Sequence, residues 1–339
     1  MQHVAIDLGS TESQVCVRSA DGTILVEKKH PTRKLEQLLK TWPPSRVVLE
    51  TSSEAFRVAD RAKAAGHDVR VVRSTLSKEL GVGDRGVKTD QRDARKLSEV
   101  SCRIDLPSVH IPSEQARELR SLARSRELLI ETRTKAVSHV RGWMRTQLRT
   151  IRRGSTETFP ARVRERAVEE SQSIPLHIEC VLTVIDTLNA QTTASMKQIR
   201  KLADSSELCR RLMTIPGIGP ITAVSFVAAI DDVSRFKHAY LVQSYLGLTP
   251  GEDSSSKRER RTGITKAGPS SVRRVLIQAA WVAFRYRPHD PMVRWATRIS
   301  ERRGKPIAVV ALARKMAGVM FALWRDDTSY SPLRAAMRT

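Results

Sequence analysis

Between Ser113 and Ile151 the chain carries no proline and no strand-like alternation, and it sets Leu119, Leu122, Leu129, Ile130, Val137, Val140 and Met144 at helical spacing. A single amphipathic helix of that length, at about 1.5 Å per residue, spans on the order of 55 Å and cannot be enclosed in one compact core. A second helical stretch follows Gly154 and Pro160, from about Arg162 to Ala203, interrupted near Pro175. The two predict an antiparallel coiled hairpin. The chain is thereby divided into a front region (1–112), a helical coiled-coil or assembly region (113–205) and a back region (206–339). Eleven Arg or Lys side chains between Arg117 and Arg153 suit a nucleic-acid surface, a dimerisation arm or a solvated face.

The front region alternates β-branched runs with helical patterns: VAIDLG, QVCVRSA, TILVEKK, RVVLET and DVRVVRS, with helices around Leu35 to Trp42 and Phe56 to Ala65. Asp21-Gly22 marks a hairpin turn. An antiparallel meander of three strands followed by two more strands separated by helices resembles the RNase H fold. The back region opens with LMTIPGIGPITAVSFVAAI, two short helical patterns around Pro216, Gly217 and Gly219. This is a helix-hairpin-helix pattern, in which Gly217 and Gly219 would let backbone N–H groups approach a DNA phosphate. The expected fold class is therefore α/β in front and all-α behind.

Charge narrows the partners. With 59 Lys plus Arg against 36 Asp plus Glu, the formal net charge is +23, the footprint of a protein that neutralises phosphate backbones. Charge spread throughout, rather than on one basic amphipathic helix, argues against a membrane surface. No run approaching a membrane span and no leader pattern stands out, so a cytoplasmic address is expected. The four cysteines, Cys16, Cys102, Cys180 and Cys209, lack the spacing of a metal or disulfide framework and read as reduced core residues.

Asp7 and Glu50 each end an apolar strand pattern, where ligands of open α/β sheets bind, and such charges are costly to bury without a cation or a partner. KTDQRDARKL adds Asp90 and Asp93 on one helical face. Taken singly, Asp90 could be an N-cap and Asp93 a first-turn acid. Together the four could hold two Mg²⁺, or Mn²⁺, for phosphoryl transfer. Lys88 and Arg92 could contact phosphate or be ordinary surface charges. Further on, three serines precede Lys257, Arg258, Arg260, Arg261 and Lys266, a hydroxyl cluster among cations that could attack a phosphodiester or simply bind backbone phosphate as a loop. Trp281, Trp295 and Trp324 read as core, and His289 as a loop residue.

AIDLG, VVLETSSEAF, KTDQRDARKL, IPGIGP, YLGLTP, the serines with GITKAG, AAW (Ala279 to Trp281) and the closing Ile307–Trp324 helix, in that order, resemble the insertion sequence 110 family of transposases. The resemblance spans nearly the whole chain. It implies an RNase H-like, resolvase-related front domain with a DEDD set on Asp7, Glu50, Asp90 and Asp93, and a catalytic serine at Ser255. Ser256 stands where the family usually has glycine, so Ser254 and Ser256 stay open as the nucleophile. It further implies a serine–phosphate intermediate, donor and target DNA, a structured guide (bridge) RNA, and homodimers assembling to tetramers whose active sites combine subunits. A metal-dependent junction-resolving nuclease without a covalent intermediate is the alternative enzyme. A non-catalytic nucleic-acid-binding protein would need no convergent acids.

Overall fold

The computed structural model describes residues 1–79, 89–255 and 258–332, with backbone alone for 77–79, 253–255 and 258–262. It separates into two compact units, Met1–Pro112 and Ser113–Thr339.

The first unit contains β1 (His3–Asp7), β2 (Glu12–Arg18), β3 (Ile24–Pro31), α1 (Leu35–Leu39), β4 (Arg46–Glu50), α2 (Ala55–Ala64), β5 (Asp68–Val72), α3 (Ser74–Glu79) and α4 (Asp90–Arg103). One mixed sheet has the order β3-β2-β1-β4-β5. β1, β2 and β3 are antiparallel, turning at Gly22 with φ +91°, whereas β4 and β5 run parallel to β1. Parallel neighbours need crossovers, and the segments containing α1 and α2 provide them. Period-two alternation sends Val4, Ile6, Val47, Leu49 and Val71 into a core with Leu35, Leu39, Ala59 and Ala62 on one face. The opposite face buries Ala5, Val48 and Val72 against Leu97 and Val100 of α4. Beyond β5, Val109 N–H donates to Val71 O at 2.7 Å, and Ser108 Oγ accepts from Val71 N–H at 3.0 Å.

The second unit contains α5 (Glu114–Thr146), α6 (Phe159–Glu169), α7 (Leu176–Ser205), α8 (Glu207–Leu212), α9 (Pro220–Ile230), α10 (Ala239–Tyr245), β6 (Pro250–Ser255), β7 (Arg258–Ile264), α11 (Ser270–Tyr286), α12 (Pro291–Arg303) and α13 (Lys305–Arg325). α5 and α7 pack lengthwise and antiparallel. Val137, Val140 and Met144 meet Ile178, Leu182 and Ile185 at one end, while Leu119 and Leu122 join Ile199 and Ala203 in the main core at the other. Between these apolar ends the seam turns polar. Arg133 donates to Asn189 and pairs with Glu157, both at 3.0 Å, and among the described residues the buried Arg126 Nε, Thr192 Oγ1 and Ser195 Oγ have no hydrogen-bond partner.

α13 corrects the expectation that no segment approaches a membrane span. By length and composition it is the one helix among the described residues that could cross a membrane. Arg314-Lys315 interrupts its apolar run and hides it from a simple reading. Here Val309, Leu312, Met316, Met320 and Phe321 of α13 lie in the main core.

Candidate functional site

Asp7 and Glu50 end adjacent parallel strands, one position beyond the paired Ile6 and Leu49. Neighbouring strands lie about 4.8 Å apart, so their backbones are side by side. Since Ala5 and Val48 face α4, alternation puts Asp7 and Glu50 on that same face. Both are half-buried, and both are engaged by neighbouring groups.

α4 crosses this face antiparallel to β1. Ser101 Oγ lies 2.8 Å from His3 Nδ1, and Ser98 Oγ lies 3.2 Å from Cys16 Sγ, opposite Ala5. Three helical residues climb about 4.5 Å and two strand residues about 6.7 Å. The next turn back, which holds Asp93, therefore falls near the level of Asp7. Thr89, not Asp90, is the N-cap, its hydroxyl accepting from Arg92 N–H. Asp90 is exposed in the first turn and Asp93 is half-buried. Glu27 of β3 anchors this end, accepting from Arg95 Nε at 2.5 Å and from Gln91 Nε2 at 2.8 Å. The Arg95 hydrogen bond holds the Glu27 carboxyl below its ordinary range.

An all-carboxylate donor set suits a hard divalent cation, and the strand register sets Asp7 and Glu50 side by side. Among the described residues, however, no three His, Cys, Asp or Glu side chains converge closely enough to surround an ion. The sheet sets two acids side by side and α4 carries Asp90 and Asp93 in its first turn, but the four do not close into a cage. Lys88 lies outside the described residues; Arg92 is exposed.

The serine segment departs from a loop reading. It is one strand of a hairpin, β6 paired antiparallel with β7, with Ser255 opposite Arg258, Ser254 opposite Glu259, Asp253 opposite Arg260 and Glu252 opposite Arg261. Ser254 and Ser255 are the last two positions of β6. Ser256 and Lys257 lie outside the described residues, as do the side chains of Ser254, Ser255, Arg258, Arg260 and Arg261. Lys266 is exposed just after the hairpin, at φ +56°. The alternation of apolar and polar residues that announces a half-buried strand is missing from RERRT, so the sequence pattern alone carries no sign of the hairpin.

The turn between α8 and α9 gives its two glycines different roles. Gly217 has φ +86°, and a Cβ there would lie 2.3 Å from the Ala279 carbonyl oxygen and 2.9 Å from Ala283 Cβ on α11. Packing on α11 alone requires glycine at this position. Gly219 has an ordinary φ of −105°, nothing within 4 Å of its ideal Cβ, and caps α9. A backbone approach by phosphate therefore suits Gly219 better than Gly217.

Two further expectations need correction. Cys16 and Cys209 are buried, but Cys180 is exposed and Cys102 half-buried. Trp324 packs on Phe226 at 6.4 Å and Trp295 lies under Lys315, whereas Trp281 is exposed on α11. The anchoring of α4 by Glu27 had no local signal, because its partners lie 64 and 68 residues away.

Comparison with known proteins gives two family matches: a DEDD transposase model over residues 4–148 and the Transposase IS116/IS110/IS902 family model over residues 209–292. The first spans Asp7, Glu50, Asp90 and Asp93, and the second spans the α8–α9 turn and the serine hairpin. A Sinorhizobium fredii protein that carries the transposase name y4qE is 30% identical over 289 residues, covering 78% of this chain and 71% of its own length. The transposase for insertion sequence element IS1111A of Coxiella burnetii is 27% identical over 248 residues, 72% of this chain and 68% of that one. The transposase for insertion sequence element IS1328 of Yersinia enterocolitica is 25% identical over 335 residues, 97% and 98% respectively. With its strand-end acids, basic charge and serine hairpin in this order, the chain belongs to the IS110 family of transposases and is an enzyme that acts on DNA.

Proposed function

We propose that this transposase cuts and rejoins DNA through a transient serine–phosphate bond, with Ser255 as the nucleophile and Asp7, Glu50, Asp90 and Asp93 holding Mg²⁺ or Mn²⁺. The observation that carries the reading is the pairing of Asp7 and Glu50 on adjacent parallel strand ends, with Asp93 of α4 near the level of Asp7 on the same face. That arrangement supports an RNase H-like assignment for the first unit. When bound, the divalent ions supply charge stabilisation at the scissile phosphate. The chain's own part is to hold the carboxylates on the sheet and to present the serine at the end of β6. Serine Oγ would give up its proton and bond to phosphorus as the phosphorus–oxygen bond to deoxyribose breaks, and the departing oxygen takes a proton in exchange. A strand hydroxyl would reverse the step, conserving the bond energy for rejoining.

The excess positive charge supports binding of donor and target DNA together with a structured guide RNA, which would leave sequence reading to base pairing. The α8–α9 turn is read as a helix-hairpin-helix contact to phosphate through Gly219. The long α5–α7 hairpin, with Leu128 and Val184 exposed, is read as the arm that assembles dimers and tetramers.

The test is to purify the protein with any copurifying RNA and incubate it with labelled donor and target DNA in Mg²⁺, comparing wild type, Asp7→Ala and Ser255→Ala. A protein–DNA adduct and joined product that both substitutions abolish support the proposal. Cleavage lost in Asp7→Ala but retained in Ser255→Ala, with no adduct, identifies a metal nuclease instead. An adduct that survives Ser255→Ala moves the nucleophile to Ser254 or Ser256.

A further inference from the structure

A cleft of about 770 Å³ opens between the α8–α9 turn and the loop joining α11 to α12. Its volume lies within the range of small-ligand sites, roughly 300–1,000 Å³, and is too small for a duplex. Ile215, Pro216, Val282 and Pro288 make its walls largely apolar. Tyr286, the last residue of α11, lines it while 66% exposed, and Arg287 and His289 are exposed beside it.

The rim is built rather than incidental. Tyr330 N–H donates to Thr214 Oγ1 at 3.0 Å, and its hydroxyl donates to Asp290 Oδ2 at 2.8 Å. Asp290 Oδ1 meanwhile accepts from Met292 N–H at 2.9 Å, capping α12. Both oxygens of the carboxylate lining this cleft are thus turned to internal donors. Burial and Asp290 hold the Tyr330 phenol well above its ordinary range, keeping it a donor. Gly219 lies on the same lining.

An apolar slot with a largely exposed aromatic ring, a neighbouring guanidinium at Arg287 and an internally satisfied acid matches the chemistry of an unpaired nucleotide, whose base stacks and whose phosphate is anionic. We infer that this cleft holds one unpaired nucleotide of a DNA or RNA strand, its base stacked on Tyr286 and its phosphate beside Arg287. The inference deepens the nucleic-acid reading above and rests on it: a backbone contacting the turn at Gly219 would carry its unpaired base into the slot. Such a site would hold a strand during exchange, when bases leave their duplex partners.

The experiment uses the full chain in EDTA, so that no cleavage occurs. Fluorescence anisotropy measures binding of oligothymidine, oligouridine and a blunt duplex to wild type, Tyr286→Ala and Tyr286→Trp, with thermal unfolding as a control for folding. Tyr286→Ala is expected to weaken single-strand binding about tenfold, as loss of one base–aromatic stack does. Duplex binding should change less than about twofold, and Tyr286→Trp should restore single-strand affinity. The oligothymidine and oligouridine arms show which strand is preferred, and selective loss in either supports the site. Equal binding by Tyr286→Ala and wild type overturns the inference, as does an equal loss for duplex and single strand. A change in oligomeric mass without a change in single-strand binding also overturns it, pointing to a protein-contact surface. Asp7→Ala in the Mg²⁺ recombination assay tests the carboxylate chemistry separately: its failure leaves the Tyr286 result standing, and the reverse also holds.

Discussion

Replacing each glycine of the α8–α9 turn by alanine separates folding from DNA contact. At Gly217 the added methyl enters a left-handed backbone, which costs about 1–2 kcal/mol for a residue with a Cβ. It also meets the Ala279 carbonyl oxygen at 2.3 Å and Ala283 Cβ at 2.9 Å. The obstacle at Ala279 is helix backbone, so relief requires α11 to move away from the turn, and overpacking of this kind costs about 1–3 kcal/mol. The sum is about 3 kcal/mol, a fall in melting temperature of roughly 6–12 °C for a unit of 150–250 residues. At Gly219 the backbone is ordinary and the space is open. Alanine is the poorer N-cap but stiffens the unfolded chain, and the two effects leave stability within about 1 kcal/mol. Differential scanning fluorimetry and urea titration measure both variants, and anisotropy with a duplex measures binding at fixed salt. Gly219→Ala should fold normally yet bind duplex several-fold more weakly, through obstruction of the backbone approach. A Gly217→Ala protein as stable as wild type would refute the packing argument, and unchanged duplex binding by Gly219→Ala would refute the phosphate contact.

Other expectations follow from the same geometry. Glu27 has a depressed carboxyl pKa because of Arg95, so its contribution is present above the ordinary Glu range, about pH 4.3, and is lost as pH falls through the lower folded value. Amide exchange in α4 should therefore rise on acidification through that window, and Glu27→Gln should remove this component. Arg126→Leu should stabilise the α5–α7 hairpin by about 1 kcal/mol, because a half-buried side chain whose buried Nε has no partner gives way to apolar packing; a lower urea midpoint would contradict this. Leu182→Ala, at a fully buried position in the far-end core, should cost about 2–5 kcal/mol, read in the same titration. Glu50→Gln should leave the fold intact and reduce strand cleavage by roughly a thousandfold or more, since several kcal/mol of metal-derived charge stabilisation would be lost; near wild-type cleavage would remove Glu50 from the site.

The sheet was readable because period-two burial writes itself into single strands: Val4, Ile6, Val47 and Leu49 alternate with Ala5 and Val48. The long helices were readable for the analogous reason, with Val137, Val140 and Met144 recurring at helical spacing. The acids could be seen at strand ends, yet their shared face depends on which strands neighbour each other, and pairing across forty residues leaves no local mark. The β6–β7 hairpin is built largely from Arg, Glu, Asp, Ser and Thr, whose polarity conceals the strand period. Gly217 was visible as a turn glycine, but the helix that excludes its Cβ begins over fifty residues later. The cleft was invisible for a similar reason: Tyr286 and Thr214 are brought to one mouth by tertiary packing alone.

The segment following α4 closes the free edge of β5 through Ser108 and Val109. The joint between the two units is therefore also the seal on the first one. At the other margin, β3 leaves Ile24 and Leu25 exposed and places the charged Lys28 and Lys29 along the rim, a common defence against sticking. β5, with the valines Val69, Val71 and Val72, depends on its strap instead. A fragment ended at Arg103 would keep every strand and α4 and still present a bare, β-branched margin to its neighbours in solution. One extended through Pro112 would carry its own cover. Insertions or breakpoints between 104 and 112 should accordingly be felt first as self-association, before any loss of secondary structure.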